Sequence, residues 1–410
     1  MISHPICTHN DLPKKHQKRK RKDTDPSGRL IDLFVHKNLT FSDQKRIQKQ
    51  LDLTVKYLEI KGDFLKSRSM KFSRSRYIRP ITILRALGES TERAKRGRGC
   101  KAVYKVSHIH VTRDGRIRII PKHPKLVLGS GRYKKVRMAI DFDEKIVVAF
   151  ASIKIVDRAK EMTFIYEAEV IQKYLIEESR VMGRQDHDLA TMNIHVIQKQ
   201  RKIKLICPYA NLTDVFEEDY SKEERGRVLS GMTQCLKILK TLGVACNDVK
   251  PENFLVFRNP KLLIRIFDLD AAVTKPEECQ SREGTGEWFS PEKWAVLTGL
   301  KKSFNAYKSD IFSLGICFYQ VMNDNGCGKG CDFERSPSYQ IELVNKIQSA
   351  ITIGAIGIYL DNYKRDWEAF RPGNELESLV KSMTHPDPDE RPDIDSVADI
   401  LDTSPSFACT

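Results

Sequence analysis

Long apolar runs are missing from this 410-residue sequence. The longest, at about residues 350–360, is too short for a helix that crosses a bilayer, and the N-terminus lacks the apolar core of a signal peptide. The ten cysteines are scattered, and Cys327 and Cys331 have no histidine nearby, so a zinc site is not predicted. We therefore expect no transmembrane segment and free thiols in a reducing compartment, either the cytoplasm or the nucleus of a eukaryotic cell.

Negative charge is scarce in the N-terminal third of the chain. Residues 1–127 contain 32 Lys and Arg against 11 Asp and Glu, a net charge of +21, which leaves −5 for residues 128–410. The densest basic run is at residues 14–22. Two interpretations of this run stay open: a solvated tail, or a patch for nuclear targeting or for a polyanion such as nucleic acid or an anionic membrane surface.

The basic part divides into a tail and an extension. Residues 1–28 are polar and predict a disordered tail. Within residues 29–121, the apolar spacing over residues 39–60 predicts a helix with Ser42 as its N-cap. Apolar and polar residues alternate over residues 102–120, with Asp114-Gly115 as a turn. This pattern predicts a β-hairpin that leads into the next strand.

One short string of polar residues specifies a chemistry. Residues 247–253 are Asn-Asp-Val-Lys-Pro-Glu-Asn, and Asp268-Leu269-Asp270 follows. Phosphoryl transfer needs a carboxylate that orients a hydroxyl, an ammonium beside the moving phosphoryl group, and an amide and a carboxylate that hold Mg²⁺. Asp248, Lys250, Asn253 and Asp268 supply this set.

Further elements follow in a definite order. Residues 128–136 predict a strand, a glycine loop and a strand, and the glycines would let the backbone approach phosphates. Lys154 closes the apolar strand 146–153, and apolar residues at +3, +4 and +7 from Glu167 place that glutamate on the inward face of a helix. Downstream come Gly284-Thr285-Gly286-Glu287-Trp288-Phe289-Ser290-Pro291-Glu292, Lys308-Ser309-Asp310-Ile311-Phe312-Ser313-Leu314-Gly315 and Asp389-Glu390-Arg391-Pro392.

In this order, the elements across residues 122–402 resemble the eukaryotic-type protein kinase superfamily. The resemblance implies an α+β, bilobal fold with a small β-rich N-lobe and a larger helical C-lobe. The basic extension precedes this domain, and residues 403–410 form a C-terminal tail. Because Lys250 lies two residues after Asp248, the resemblance is to the serine/threonine type. It implies ATP-dependent phosphorylation of serine and threonine hydroxyls on protein substrates, with ATP and Mg²⁺ as cofactors.

The resemblance also implies roles for individual residues. Asp248 and Lys250 act on the substrate hydroxyl and the γ-phosphoryl group, and Lys154 reaches the α- and β-phosphates, held by Glu167, with Glu169 as the second choice. Asn253 and Asp268 are the metal ligands. Asp310 holds the catalytic loop, Thr285 bonds to Asp248 and Lys250, and Arg391 pairs with Glu292. Cys207 is the gatekeeper, and the ATP-binding positions are Leu128, Gly129, Ser130, Gly131, Val136, Ser152, Lys154, Pro208 and Ala210.

Several residues depart from the family pattern. Asn247 replaces the arginine before the catalytic aspartate, which makes the chain a non-RD type, and Cys246 replaces the histidine before it. Asp270 replaces the glycine after Asp268-Leu269, and Lys134 occupies the dispensable third glycine position. These departures keep an alternative open: a pseudokinase that binds partners without efficient phosphotransfer. A small-molecule kinase is disfavoured because that class lacks the elements at residues 284–292 and 391.

Overall fold

The computed structural model has the α+β architecture that the resemblance implies, with a sheet-rich part followed by a helical part. The strands lie between residues 76 and 266, and the helices from residue 291 onward follow without further strands among the described residues. The structure describes residues 30–34, 39–71, 76–78, 82–83, 86–87, 107–112, 115–130, 134–183, 193–197, 202–210, 215, 220–258, 262–323 and 353–404.

The sheet-rich part contains two long helices and most of the strands. A short 3-10 turn covers Asp32–Phe34, and another covers Pro124–Leu126. The elements are α1 (Phe41–Lys71), β1 (Arg76–Ile78), β2 (His108–Val111), β3 (Ile117–Ile120), β4 (Val127–Ser130), β5 (Lys134–Asp141), β6 (Ile146–Lys154), α2 (Arg158–Val181), β7 (Asn193–Ile197) and β8 (Lys202–Pro208).

The second part is mainly helical, with one two-stranded sheet. Short 3-10 turns cover Pro251–Asn253, Gly286–Trp288 and Pro388–Glu390. The elements are α3 (Lys222–Thr241), β9 (Phe254–Arg258), β10 (Leu262–Ile266), α4 (Pro291–Leu297), α5 (Ala306–Asn323), α6 (Ile353–Ala369), α7 (Glu375–Met383) and α8 (Ile394–Thr403). Across the described ranges, no helix is both long and apolar enough to cross a membrane.

The hairpin of the basic extension belongs to the main sheet. Eight described strands form one antiparallel sheet. Seven of them follow the order β1-β2-β3-β5-β6-β8-β7, and the eighth, β4, pairs with β5. The predicted hairpin is confirmed for β2 and β3, and Gly115 in its turn has a φ of +86° that favours glycine. Residues 102–106 and 113–114 lie outside the described residues. Since β3 pairs with β5, the extension and the following domain share one sheet.

The predicted helix of the extension is confirmed and longer than expected, since α1 continues to Lys71. Its cap differs from the prediction of Ser42. Asp43 donates its backbone N–H to Thr40 Oγ1 at 3.2 Å, and Thr40 donates its own N–H to Asp43 Oδ2 at 3.1 Å. This reciprocal pair satisfies N–H groups at the start of the helix. The apolar face of α1 packs into one buried cluster with the sheet: Ile47, Leu51, Val55, Leu58, Ile109, Val111, Ile117, Ile119, Met138 and Ile140.

A close approach of helix α3 to strand β10 sets the position of the chain that leads to Asp268. A Cβ atom at Gly231 would lie 2.7 Å from Ile264 Cγ1, so the two elements can pack this closely only because residue 231 is glycine. Ile264 and Ile266 belong to the main buried cluster, together with Met232 of α3. Strand β10 is therefore firmly held on the helical part, two residues before Asp268.

Candidate active site

The carboxylate of Asp248 is buried, and both of its oxygens accept hydrogen bonds. Thr285 donates its backbone N–H to Asp248 Oδ1 at 2.7 Å, and Lys250 Nζ donates to Oδ2 at 2.8 Å. Asn253 Nδ2 donates to the carbonyl oxygen of Asp248 at 2.9 Å. Lys250 Nζ also donates to Thr285 Oγ1 at 2.7 Å. The predicted contacts of Thr285 are therefore present, with the aspartate bonded through the backbone and the lysine through the hydroxyl.

Asp310 of α5 holds the loop that carries Asp248, as predicted. Its carboxylate accepts the backbone N–H of Cys246 at 2.7 Å and that of Asn247 at 2.8 Å. Asn247 has a φ of +62°, a left-handed conformation that asparagine tolerates better than most residues. Asp310 is only 5% exposed, so these hydrogen bonds form away from water and hold the loop strongly.

The side chain of Asn247 connects two points of residues 268–292, which correspond to the activation segment of the family that the sequence resembles. Its Nδ2 donates to the carbonyl of Ala271 at 3.0 Å and to Ser281 Oγ at 3.1 Å. Its Oδ1 accepts from the buried Lys293 Nζ at 2.8 Å. Burial lowers the pKa of Lys293 to about 8, although the nearby Asp310 carboxylate raises it. Sequence reasoning missed Lys293, and its only signal is that it directly follows the Ser-Pro-Glu motif.

The structure pairs Glu167 with a lysine other than the predicted one. Lys134 Nζ lies 2.6 Å from Glu167 Oε1 and 2.7 Å from Asp268 Oδ1. Glu167 is fully buried on α2, as its helical register predicted. The predicted Lys154–Glu167 ion pair is wrong, because Lys154 is exposed at the end of β6. Glu169, the second choice, is also exposed.

The alternation of side chains in β6 explains this correction. Ala149 and Ala151 pack into the cluster that contains Cys207 and residues of α2, whereas Phe150 packs on the other side of the sheet. Residues 152 and 154 share the side of Phe150, because side chains alternate along a strand. Lys134 lies directly opposite Ile153 in the β5–β6 register, so it shares the side of Ala151.

The same alternation corrects the prediction for Ser152. Its hydroxyl accepts a hydrogen bond from Lys204 Nζ, and that ammonium lies 5.4 Å from the ring centroid of Phe150. Ser152, which the family resemblance places in the adenine pocket, therefore faces away from the side of β6 that Ala149 and Ala151 share. Ala149 occupies the pocket side instead, directly opposite Cys207 in the β6–β8 register.

The charge around Lys134 keeps its ammonium protonated. Burial alone would lower the pKa of Lys134, but the carboxylates of Glu167 and Asp268 outweigh it and raise that pKa above the ordinary value. Burial would likewise raise the pKa of Asp268, yet Lys134 lowers it overall. The cation thus lies between two carboxylates, one on α2 and one after β10.

The remaining predicted ATP-binding residues occupy different parts of the sheet and of its packing clusters. Val136 packs on the main cluster beside the buried Cys207, whose thiol has its pKa raised to about 12 by burial. Leu128 packs instead against the cluster of the extension. Gly131 lies outside the described residues. Four predicted residues take ordinary positions in or after the strands: Gly129 and Ser130, exposed in β4, Pro208 at the end of β8, and Ala210 just after it.

Asn253 and Asp268 fit the requirements of a divalent cation. Phe267 donates its N–H to the carbonyl of Asn253 at 2.9 Å. Because Asp268 directly follows Phe267, this hydrogen bond brings Asp268 close to Asn253. Asn253 uses its Nδ2 to bond Asp248, so its amide oxygen is the atom that remains for a cation. The Asp268 side chain is 48% exposed and bonds Lys134 through Oδ1. Carboxylate and amide oxygens are suitable ligands for Mg²⁺.

Residues 123–401 match the family model of the protein kinase domain. The chain belongs to the protein kinase family. Its relatives are serine/threonine kinases that resemble it at low identity. A serine/threonine-protein kinase H1 homolog from Pinctada fucata is 25% identical over 208 residues, 48% of this chain and 46% of its own length.

Two further relatives are more uneven in length. The probable serine/threonine-protein kinase fhkC from Dictyostelium discoideum is 24% identical over 203 residues, 48% of this chain and 32% of its own length. Serine/threonine-protein kinase PSK2 from Saccharomyces cerevisiae is 22% identical over 386 residues, 88% of this chain and 31% of its own length. This kinase chain thus spans less than half the length of the relatives named here.

A buried ion pair closes the activation segment of this kinase, as predicted. Arg391 Nη1 lies 2.7 Å from Glu292 Oε1, and Nη2 lies 2.8 Å from Oε2. Arg391 also donates to the carbonyl of His385 at 2.7 Å. This bidentate arrangement fixes both the distance and the orientation of α4 relative to the turn before α8.

The departures around Asp268 behave differently from one another. Cys246 and Leu269 are both fully buried in the main cluster. Among the described residues other than glycine, left-handed backbone occurs at Lys145, Asn247 and Asp268, and not at Asp270. The exposed Asp270 therefore needs no unusual backbone conformation where the family has glycine.

Proposed function

We propose that this kinase transfers the γ-phosphoryl group of ATP to serine or threonine hydroxyls of proteins. The observation that carries the proposal is the position of Lys134, whose ammonium contacts both Glu167 and Asp268. This arrangement supplies a protonated cation beside the candidate metal ligands, although β6 carries no lysine on that side. The departures from the family pattern thus leave the charges that phosphoryl transfer needs in place.

On the substrate side, Asp248 accepts the proton of the attacking hydroxyl and orients it. Both oxygens of its carboxylate are held by hydrogen bonds, which reduces the reorganisation required during the reaction. Burial lowers the pKa of Lys250, but the Asp248 carboxylate outweighs this and raises it overall. Lys250 thus stays charged and offsets negative charge on the γ-phosphoryl group.

On the nucleotide side, Lys134 takes the role that the resemblance assigned to Lys154 and contacts the α- and β-phosphates. Glu167 orients Lys134, and the glycine loop covers the phosphates. Asn253 and Asp268 would hold Mg²⁺, which neutralises charge on the phosphates when bound. The spacing of Asp248 and Lys250 and the names of the relatives support serine and threonine as acceptors.

The activities of two lysine variants, compared with each other, test whether Lys134 or Lys154 acts on the phosphates. Lys134→Met should lower kcat/KM for ATP by about a hundredfold or more, because it removes the cation from the phosphates. Lys154→Met, the matched control, should stay within about twofold of wild type, since that side chain is exposed on the other side of the sheet. Radiolabelled transfer to a generic basic protein provides the measurement, and thermal melting verifies that both variants fold.

Each other outcome is decisive. Loss of transfer in Lys154→Met with activity retained in Lys134→Met would reverse the assignment of the lysine. A wild-type protein that transfers no more phosphate than Asp248→Ala would favour the pseudokinase alternative.

The basic run at residues 14–22 lies outside the described residues, and its polyanion contact is a separate proposal. Nine adjacent residues with seven Lys and Arg would release counterions on binding nucleic acid or an anionic membrane. Deletion of residues 1–25 should lower affinity for anionic vesicles or nucleic acid and flatten its salt dependence, while phosphotransfer stays unchanged. An unchanged salt slope would support the solvated-tail interpretation.

A further inference from the structure

Helix α2 has a second buried ion pair, far along the helix from Glu167. Arg265 Nε and Nη2 each lie 2.7 Å from Glu178 Oε2, and both side chains are almost completely buried. Arg265 belongs to β10, and Glu178 to the C-terminal half of α2. From this pair we infer that Arg265 and Glu178 are positioning residues, which hold α2 so that Glu167 stays in contact with Lys134.

The pair belongs to a larger buried polar group, the Glu178 cluster, made of Glu178, Arg265, Tyr174 and Cys235. The hydroxyl of Tyr174 lies 3.4 Å from Glu178 Oε1 and 3.2 Å from Cys235 Sγ. Cys235 Sγ in turn donates to the carbonyl of Ile264 at 3.4 Å. The cluster therefore joins α2 to α3 and to β10 through directional contacts rather than through apolar packing alone.

The two ion pairs of α2 connect it to the same stretch of chain. Arg265 precedes Asp268 by three residues, and Asp268 bonds Lys134, which bonds Glu167. Glu167 and Glu178 are eleven residues apart on one helix, about three turns. The helix is thus attached to the β10–Asp268 segment at two points, one through Lys134 and one through the Glu178 cluster.

This double attachment restricts the movement of α2. Withdrawal of the helix from Asp268 would separate Glu178 from Arg265 and leave a buried charge without its partner, which is strongly unfavourable. The Glu178 cluster lies about three helical turns from Glu167, so its effect on the site acts through the position of Glu167. The inference rests on the proposed function for its effect on activity, but not for its effect on the helix.

The test replaces both charges at once. Arg265→Met/Glu178→Met leaves no unpaired buried charge and keeps side chains of similar length, so it should fold, whereas either single variant leaves a lone charge. The matched control is Glu177→Gln/Arg180→Gln, which removes an ion pair on the same helix whose arginine side chain is 70% exposed. Thermal melting, amide hydrogen exchange of residues 160–170 and the kcat and KM for ATP are measured for both.

In the double Met variant, we expect hydrogen exchange of residues 160–170 to accelerate by about tenfold or more, and the KM for ATP to rise by about fivefold or more. The control should match wild type in all measurements. A double Met variant that folds with wild-type exchange and wild-type KM would overturn the inference, because the pair would then be merely structural.

Two further results remain interpretable. If the double Met variant does not fold, Arg265→Lys keeps the charge but loses the hydrogen bond that Nε donates to Glu178, and exchange of residues 160–170 that stays at the wild-type rate would equally overturn the inference. If wild-type protein shows no phosphotransfer, the proposed function fails, while the exchange rates still decide whether the Glu178 cluster holds α2.

Discussion

The catalytic loop and the nucleotide side of the sheet differ in how directly their sequences predict their structures. In the loop, Asp248, Lys250 and Asn253 lie within six residues, and the hydrogen bonds of their side chains are made inside the loop or to Thr285. On the nucleotide side, the cation comes from Lys134 on β5 instead of Lys154 on β6. The first region depends on local spacing, and the second on which side of a strand each residue faces.

This difference shows that the position of the charge in space matters more than its position in the chain. A lysine has a long and flexible side chain, so it can bring its ammonium to one point from either of two neighbouring strands. Ala151, on the correct side of β6, leaves room for the Lys134 side chain from β5. Lys134 on β5 therefore compensates for the lack of a lysine on the side of β6 that Ala151 faces.

The largest expected effect is in the catalytic loop. Asp248→Ala should lower kcat by about a thousandfold or more, roughly 4 kcal/mol, because the hydroxyl of the substrate loses its orienting carboxylate. Asp268→Ala should do the same and should also remove the Mg²⁺-dependent thermal stabilisation by ATP. Phosphate transfer and melting temperature are measured together. Near-wild-type turnover of Asp268→Ala would refute its assignment as a metal ligand.

A smaller effect is expected when the lysine is moved from β5 to β6, which tests whether either strand can supply the ammonium. Lys134→Ala should lower kcat/KM for ATP by about a hundredfold or more, and Lys134→Ala/Ala151→Lys should recover about tenfold or more of that loss, since residue 151 faces the same side. Lys134→Ala/Ser152→Lys is the matched control, with its new lysine on the opposite side. Equal recovery in both double variants, or in neither, would refute the claim that the side of β6 on which a lysine lies decides whether it can replace Lys134.

Much of the fold was predictable where the sequence carries a clear period or a compact motif. Helix α1, the β2–β3 hairpin, the contacts of Asp310 and the Glu292–Arg391 pair are all confirmed. The side of β6 was not predictable, because residues 146–153 are almost all apolar and such a run shows no alternation. An error of one residue then moved both Ser152 and Lys154 to the wrong side.

Non-local contacts account for the other omissions. The pairing of β3 with β5 joins the extension to the kinase sheet, and nothing in the sequence of either strand names its partner. Lys293 is a buried cation whose partners, Asn247 and the neighbouring Asp310, are distant in sequence. Such a charge looks like an ordinary surface lysine until the fold brings its partners to it.

The smallest expected effect concerns the activation segment. In most regulated kinases an arginine before the catalytic aspartate receives a phosphate from this segment, and here that residue is Asn247. Asn247 bonds Ala271 and Ser281, and Lys293 supplies an internal positive charge. Because these contacts already order the segment, we expect phosphatase treatment to change initial rates by less than about twofold. Rates on a generic basic protein are measured before and after treatment, with phosphate removal verified by mass spectrometry.

Three variants distinguish an activation segment ordered by the contacts of Asn247 from one ordered by phosphorylation. Ser281→Ala removes the hydroxyl that accepts hydrogen bonds from Asn247 Nδ2 and from the Glu283 N–H, each worth about 0.5–1.5 kcal/mol, and should lower the rate by a few-fold at most. Thr274→Ala, at an exposed position, should match wild type. Thr285→Val, the contrasting control, removes the hydroxyl that Lys250 contacts and should lower the rate more than either.

If phosphatase lowered the rate by about tenfold, near 1.4 kcal/mol, and Thr274→Ala or Ser281→Ala reproduced the loss, the segment would depend on a phosphate after all. The amide at residue 247 would then be an inadequate substitute for the arginine, and the catalytic-loop side would prove as hard to predict as the nucleotide side.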